Sequence, residues 1–138
     1  MEDTRKIKFR AWDKKDKEMY YDIQDGISFD DGSNYDFKRF LGKQDMGDYH
    51  EWEVMQFTGL KDKNGKEIYE GDVFQYTVHE GYMLPNFKAV VEYKEKIGAF
   101  IYKMENNGWK AFNEHDELQE DVLNYVEVIG NIYENGDL

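Results

Sequence analysis

The sequence predicts a mainly β protein, in which an N-terminal hairpin region packs with a small, SH3-like curled C-terminal sheet or barrel. Three observations predict this fold. Turn signals of Gly with Asn or Asp recur roughly every ten to twenty residues, and apolar residues alternate with polar ones between them. Aromatic residues form 17% of the 138-residue chain, which is too rich a content for a disordered protein. The length fits one domain, with two lobes at 1–53 and 54–138.

The N-terminal lobe opens with a predicted hairpin. Ile7, Phe9 and Ala11 alternate with Lys8 and Arg10, a polar turn follows at 13–17, and 18–23 returns as a strand. Residues 30–34 form a loop. The apolar spacing over 35–41 fits one short amphipathic helical turn, and we expect the poorest order over 42–49.

The centre of the chain has the clearest pattern. Residues 54–60 are rich in strand-forming types, and the Asn64-Gly65 pair that follows predicts a tight turn, because both residue types tolerate positive φ. A second turn at 70–72 leads to a strand over 73–78. This pattern predicts a central hairpin.

The C-terminal part repeats this style with short strands at 88–93, 99–102, 109–112 and 125–133. A helical turn is predicted around 118–123. Gly130 interrupts the last strand and indicates a bulge or a close backbone approach. The last strand is apolar on both sides: we place Val126, Val128 and Ile132 on one face, and Tyr125, Ile129 and Tyr133 on the other. A second layer, from this chain or from another subunit, is therefore expected to cover it.

Charge restricts the classes of partner. Eighteen bases against 30 acids give a net charge of -12, which opposes binding to membrane surfaces and nonspecific binding to phosphate backbones. Bases concentrate at 5–17, which we interpret as the solvated face of an edge hairpin; a patch for nucleic acid or an acidic partner is the alternative. The N-terminus lacks the pattern of a signal peptide, and no apolar run approaches the roughly 20 residues that span a bilayer.

No catalytic, cofactor-binding or metal-binding residues are predicted. The chain has no cysteine, which excludes disulfides and thiolate chemistry. His50, His79 and His115 lack a metal-ligand spacing, and Ser28 and Ser33 lie in no nucleophile motif. The run at 62–65 begins like a calcium loop but lacks its later oxygen ligands. Glu70 and Asp72 are interpreted as turn residues.

Three blocks resemble the YopX family, small proteins encoded by phages and prophages of bacteria. They are Ile7-Lys8-Phe9-Arg10-Ala11-Trp12-Asp13, the stretch 55–72 with Met55-Gln56-Phe57-Thr58-Gly59-Leu60, and the closing stretch 127–135 with Val128-Ile129-Gly130-Asn131. Residues 30–53 and 79–87 match no block. The resemblance implies a bacterial cytoplasmic setting and a mostly β architecture, and it transfers no reaction and no site.

The sequence then predicts a noncatalytic phage accessory protein that acts by binding, and no cofactor. The partner is itself, as a homo-oligomer, or a host or phage protein. Two alternatives stay open: a small β-barrel that binds nucleic acid through residues 5–17, and an acidic decoy that occupies a DNA-binding protein. An enzyme that uses dispersed carboxylates ranks last.

Overall fold

The computed structural model describes residues 6–41, 52–77, 87–105, 108–112 and 122–135. Strands dominate these residues and confirm the mainly β fold. The chain divides into two compact units, Met1–Phe57 and Thr58–Leu138. The sequence places its boundary after residue 53, and one strand, Trp52–Lys61, runs through both positions.

The N-terminal unit begins with the predicted hairpin, made of β1 (Phe9–Asp13) and β2 (Glu18–Tyr21). The second strand was predicted to reach Ile23, but it ends at Tyr21. Asp22 adopts a left-handed conformation with φ of 59°, and a 3-10 turn at Ile23–Asp25 then buries Ile23 completely. Local burial of one side chain therefore ends the strand.

The remaining elements of this unit are short. β3 (Ile27–Ser28) pairs with β4 (Asn34–Tyr35), and helix α1 (Phe37–Leu41) confirms the predicted amphipathic turn. The long strand β5 (Trp52–Lys61) pairs with β1 on the side opposite β2. β1 is thus an inner strand and β2 an edge strand, so the hairpin lies at a sheet edge as predicted, with Lys14, Lys15 and Lys17 exposed in its turn. Arg10, the base within β1, is buried and is not part of a solvated face.

Aromatic rings fill the core of the N-terminal unit. Ala11, Ile23 and Phe40 are buried, and partly buried rings pack around them. Phe40 meets Trp52 edge to face at 4.8 Å between ring centroids, an arrangement that stabilises beyond simple area burial. Phe40 is therefore the side chain that anchors α1. The stretch 42–49, with its predicted poor order, lies outside the described residues.

The described residues of the C-terminal unit contain six further strands. They are β6 (Glu67–Tyr69), β7 (Asp72–Tyr76), β8 (Phe87–Lys94), β9 (Ala99–Met104), β10 (Trp109–Ala111) and β11 (Val126–Asn131). The last five form an antiparallel sheet in the order β10-β9-β8-β7-β11, a curled half-barrel. A 3-10 turn at Val122–Tyr125 precedes β11. The sheet's two edge strands are therefore β10 and β11.

One face of this sheet, the core face, carries Phe74, Ala89 and Tyr102. Phe74 is fully buried and contacts Tyr102 at 5.4 Å between centroids, and Val126 and Val128 of β11 pack in the same cluster. Burying each such side chain stabilises the fold by roughly 1.5–3 kcal/mol. The core face is therefore the hydrophobic centre of the C-terminal unit.

A bulge in β11 changes which residues face the core. The register shifts between Val128 and Gly130, as the glycine indicated, and this inserts one extra residue. Val126 and Val128 are buried as predicted, but Asn131 is buried next, and Ile132, 41% exposed, lies beyond the strand. The prediction that Ile132 shares a face with Val128 is wrong, because it assumed an unbroken alternation.

Candidate functional site

Asp62 stands in the predicted tight turn after β5, and it closes one edge of the C-terminal sheet. Its side chain is buried, at 6% exposure. Oδ1 accepts the backbone N–H groups of Asn64 at 2.8 Å and Lys66 at 2.9 Å. Oδ2 accepts the N–H of Val128 at 2.9 Å, across 66 positions of sequence. One carboxylate therefore shapes its own turn and holds β11.

The hydrogen bonds also set the charge state of Asp62. Burial by itself raises the pKa of a carboxyl group, since it disfavours the charged form. Here the N–H groups of Val128, Lys66 and Asn64 outweigh burial, and the pKa of Asp62 is lowered below its ordinary value. The carboxylate is charged at neutral pH, and its donors are backbone groups, which suits a structural cap.

The turn itself differs from the predicted two-residue form. Gly65 has φ of 84°, whereas Asn64 is not among the residues of positive φ, so only the glycine uses the left-handed region. Gly65 N–H donates to the Asp62 carbonyl at 3.0 Å. Lys63 N–H donates to the Val126 carbonyl at 3.0 Å, a second bond from this turn to β11. The central and closing sequence blocks thus meet here.

Asp72 and Asn131 serve the same pair of blocks. They are opposite each other in the β7–β11 register and both are buried. Asp72 Oδ2 accepts the N–H of Tyr69 at 2.8 Å, which confirms its role as a turn residue. Asn131 Oδ1 accepts the N–H groups of Tyr133 and Glu134 at 2.9 and 2.8 Å. Both side chains are occupied by backbone amides.

The basic residues of 6–17 are divided among separate contacts. Lys14 Nζ pairs with Glu53 at 2.7 Å, and Lys8 Nζ lies 5.4 Å from the centre of the Phe57 ring. Arg10 is buried at 2% exposure, with its guanidinium 5.9 Å from the Tyr21 ring. Arg5 lies outside the described residues. Each of these cations has its own neighbour, and Arg10 is withdrawn from solvent.

The candidate nucleophiles take part in turns. Ser28 Oγ donates to Asn34 Oδ1 at 2.8 Å and Ser33 Oγ donates to Asp31 Oδ1 at 2.7 Å. The Ser33 hydroxyl, with the Ser33 N–H, lowers the pKa of Asp31. The three histidines fall outside the described residues. Within the described ranges, no group of three or more His, Cys, Asp or Glu side chains could hold a metal ion.

The second face of the five-stranded sheet is the candidate site for binding. We call it the groove face: a row of paired residues crosses it, from Trp109 through Lys103 and Val90 to Val73. A groove of about 340 Å³ lies over Lys103, Val90 and Val73 of this row, lined also by Lys88, Glu92, Glu105 and Ile132. Its walls combine lysine, glutamate and aliphatic side chains, and such a mixture can contact both the charged and the apolar groups of a polypeptide.

Trp109 is the exposed aromatic residue of that row. The residue is 40% exposed, and Lys94 Nζ lies 4.8 Å from the ring centre, within the range of a cation–π contact. An exposed indole beside lysines combines apolar area with positive charge. Tryptophan is also the side chain most enriched among energetically dominant interface residues.

Sequence reasoning missed the role of Asp62. It considered Asp62 as the start of a calcium loop and then as an ordinary turn. An Asp whose side chain accepts amides two and four residues later is a known local capping pattern. The third donor, the N–H of Val128, is too distant in sequence for a local pattern to predict. The sequence predicts Trp109 in a short strand, but no pattern there indicates that this residue is exposed.

Comparison with known proteins now identifies the family. No match was found among curated proteins. The crystal structure of protein EF1440 from Enterococcus faecalis is similar, with 28% sequence identity, a TM-score of 0.61, and coverage of 97% of this chain and 98% of that chain. The family model described as YopX protein matches residues 8–138, which include the three blocks singled out in the sequence except Ile7. The chain belongs to the YopX family.

Proposed function

We propose that this protein is a noncatalytic accessory protein of a phage or prophage, which acts in the bacterial cytoplasm by binding another protein. The observation that carries the proposal is the use of the buried acidic and amide side chains. Asp13, Asp62, Asp72 and Asn131 all accept backbone N–H groups. General acid–base chemistry needs a carboxyl group within reach of a substrate proton, and these groups are occupied by turns.

The exposed surface of the C-terminal unit supports a binding role. Four large apolar side chains are 40–48% exposed there: Tyr93, Ile97, Trp109 and Ile132. Exposed aromatic groups next to polar and charged ones are typical of interface cores and rims. No helix among the described residues is long and apolar enough to cross a membrane, and the net charge of -12 opposes an anionic lipid surface.

The test is capture from a bacterial host lysate on the immobilised full chain, with and without nuclease. An unrelated acidic protein of similar net charge serves as the control for ion exchange. We expect specific host or phage proteins to be retained whether or not nuclease is present. Retention of nucleic acid that falls steeply with salt supports the nucleic-acid alternative instead. Retention of a DNA-binding protein that DNA displaces supports the acidic decoy, and empty eluates contradict protein binding.

Self-association is a second form of the same proposal, favoured by the exposure of Ile132. This residue ends the groove and lies beside the strand whose two apolar faces predicted a covering layer. Light scattering at two protein concentrations, at an ionic strength near 0.15 M where charges are screened beyond about 8 Å, measures it. A homo-oligomer gives a mass above the 16.5 kDa of one chain, and Ile132→Asp lowers that mass. A mass of one chain at both concentrations contradicts it.

A further inference from the structure

The backbone of β11 is occupied on its outer side. In an antiparallel sheet, successive residues of an edge strand point their N–H and C=O groups alternately toward the neighbour strand and away from it. In β11 the outward groups belong to Val126 and Val128. The Val126 carbonyl accepts from Lys63 and the Val128 N–H donates to Asp62. The turn after β5 therefore already holds one outward group of each of these two residues.

The backbone of β10, at the opposite edge, is arranged differently. Gly108 and Phe112 bond to β9, through Met104 N–H to Gly108 O at 2.8 Å and Phe112 N–H to Phe100 O at 3.3 Å. The alternation then directs the N–H and C=O groups of Trp109 and Ala111 away from the sheet. In the ranges that the structure describes, no group bonds to these four backbone atoms. β10 therefore presents a short row of donors and acceptors.

Lysine side chains collect around this edge of the sheet. The part of the chain after residue 77 has five bases, and all lie between 88 and 110, where three acids accompany them. Lys103 is opposite Trp109 on the groove face, and Lys94 lies over the indole. Lys110 is in β10 itself and faces the other side. A protein of net charge -12 thus has a local excess of lysine beside an exposed tryptophan.

We propose that β10 accepts an extended, acidic segment of a partner protein as an additional strand of the sheet. The segment bonds to the outward groups of Trp109 and Ala111, its carboxylates lie near Lys94 and Lys103, and an apolar side chain covers the indole. Addition of a strand to an exposed edge takes its affinity from main-chain bonds and its selectivity from side chains. This inference rests on the proposed function and names the chemistry of the partner segment.

Two other occupants fit the edge less well. A second copy of β10 brings the same lysines against these, and like charges on neighbouring strands are destabilising. A single nucleic-acid strand offers phosphates to the lysines, but only a polypeptide backbone repeats its donors and acceptors at the spacing of a β-ladder. An acidic peptide supplies carboxylates, donors and acceptors together.

The test uses the full chain and a synthetic peptide of alternating Glu and Val, titrated while amide signals are followed by NMR. The same peptide with Lys in place of Glu, and a short oligothymidylate, are the comparison ligands. We expect only the Glu–Val peptide to saturate. It shifts the amide signals of Trp109 and Ala111, and slows hydrogen exchange of both amides at least about tenfold, since they become hydrogen-bonded.

Variants separate the main-chain bonds from the charges. Ala111→Pro removes one outward N–H and places a ring against the partner strand, so peptide affinity falls about tenfold or more. Lys103→Glu reverses one charge at the edge and weakens binding about threefold to tenfold. Lys61→Glu changes the net charge equally but lies in β5, and it leaves affinity within about twofold. Thermal melting of each variant shows that it is folded.

Each other outcome overturns the inference. Unchanged affinity of Ala111→Pro means that no strand is added, and equal binding of the Lys–Val peptide means that charge does not select the partner. Saturation by oligothymidylate alone assigns the surface to nucleic acid. If lysate capture yields a protein that Ala111→Pro still binds, this inference fails while the proposed function stands. If neither bait retains a protein, the proposed function fails as well.

Discussion

The two edges of the C-terminal sheet differ in whether their outward backbone groups have hydrogen-bond partners. At β11, the Asp62 carboxylate accepts the outward N–H of Val128, and the Lys63 amide donates to the outward carbonyl of Val126. At β10, the outward groups of Trp109 and Ala111 have no such partner among the described residues. The sequence blocks typical of the family supply both halves of the closed edge, Asp62 from the central block and Val128 from the closing one. Those blocks therefore contain the residues that hold β11 at this edge of the sheet.

Proline at equivalent positions of the two edges is expected to have very different effects on stability. Val128→Pro removes the N–H that Asp62 accepts and leaves a buried carboxylate oxygen without its donor, so the free energy of unfolding falls by about 3 kcal/mol. Ala111→Pro removes an outward N–H at an edge position, where proline is tolerated, and changes it by less than about 0.5 kcal/mol. Urea unfolding followed by tryptophan fluorescence measures both. Equal losses would show that the two edges are alike.

The next largest effect comes from the carboxylate itself. Asp62→Ala removes the acceptor for three N–H groups, of which that of Val128 is buried, and lowers the free energy of unfolding by about 2 kcal/mol. Asp62→Asn keeps one acceptor oxygen and loses roughly half as much. The control is Asp30→Ala in an exposed loop of the N-terminal unit, with an expected change within about 0.5 kcal/mol. Chemical denaturation of the three variants measures these losses. An unchanged free energy of unfolding for Asp62→Ala would show that this side chain does not stabilise the edge.

A smaller loss is expected when the turn is strained but its carboxylate is kept. Gly65 has φ of 84°, and a Cβ there meets nothing within 4 Å, so the cost of Gly65→Val is conformational, about 1–2 kcal/mol. Gly65→Asn loses less, because asparagine visits this region more readily. Differential scanning calorimetry compares them. A melting temperature of Gly65→Val equal to that of the parent would contradict the positive φ of this turn.

Acid should weaken the closed edge selectively. The pKa of Asp62 is lower in the folded protein than its ordinary value of 3.8, so its ionisation contributes stability that is fully present above pH 3.8. That contribution is lost as the pH falls below 3.8 through the folded value, where the carboxylate takes up a proton. Asp62→Asn lacks this contribution, and the difference between the two stability curves isolates it from the other acids. A difference that stays constant down to low pH would be evidence against the lowered pKa.

Local pattern was sufficient where neighbours in sequence decide the structure. The β1–β2 hairpin, the helix at Phe37–Leu41 and the bulge near Gly130 follow from alternation, amphipathic spacing and glycine. The predicted face of Ile132 was wrong, although Gly130 indicated a bulge, because the prediction did not include the effect of the bulge on later residues. One inserted residue reverses every later side chain, and the sequence does not say at which bond the register shifts.

Long-range partners could not be predicted. Nothing near Asp62 indicates that its second oxygen is bound by an amide 66 positions later, because that contact depends on how five strands are ordered. Arg10 in β1 gave a misleading signal in the same way. Arg10 occupies an inner strand and is buried, since β5 pairs on the side that a lone hairpin leaves open.

The bond between Asp62 and Val128 also has a kinetic meaning. It joins segments separated by most of the C-terminal unit, and contacts of such high sequence separation are costly to form early, because the intervening chain must first be closed into a loop. Until β11 docks, β7 is itself an outer strand with a vacant ladder, and the Asp62 turn has lost its distant donor. In a chain that is still being synthesised, β7 therefore stays an unpaired edge, of the kind that invites pairing with other chains, until β11 is made and docks on it.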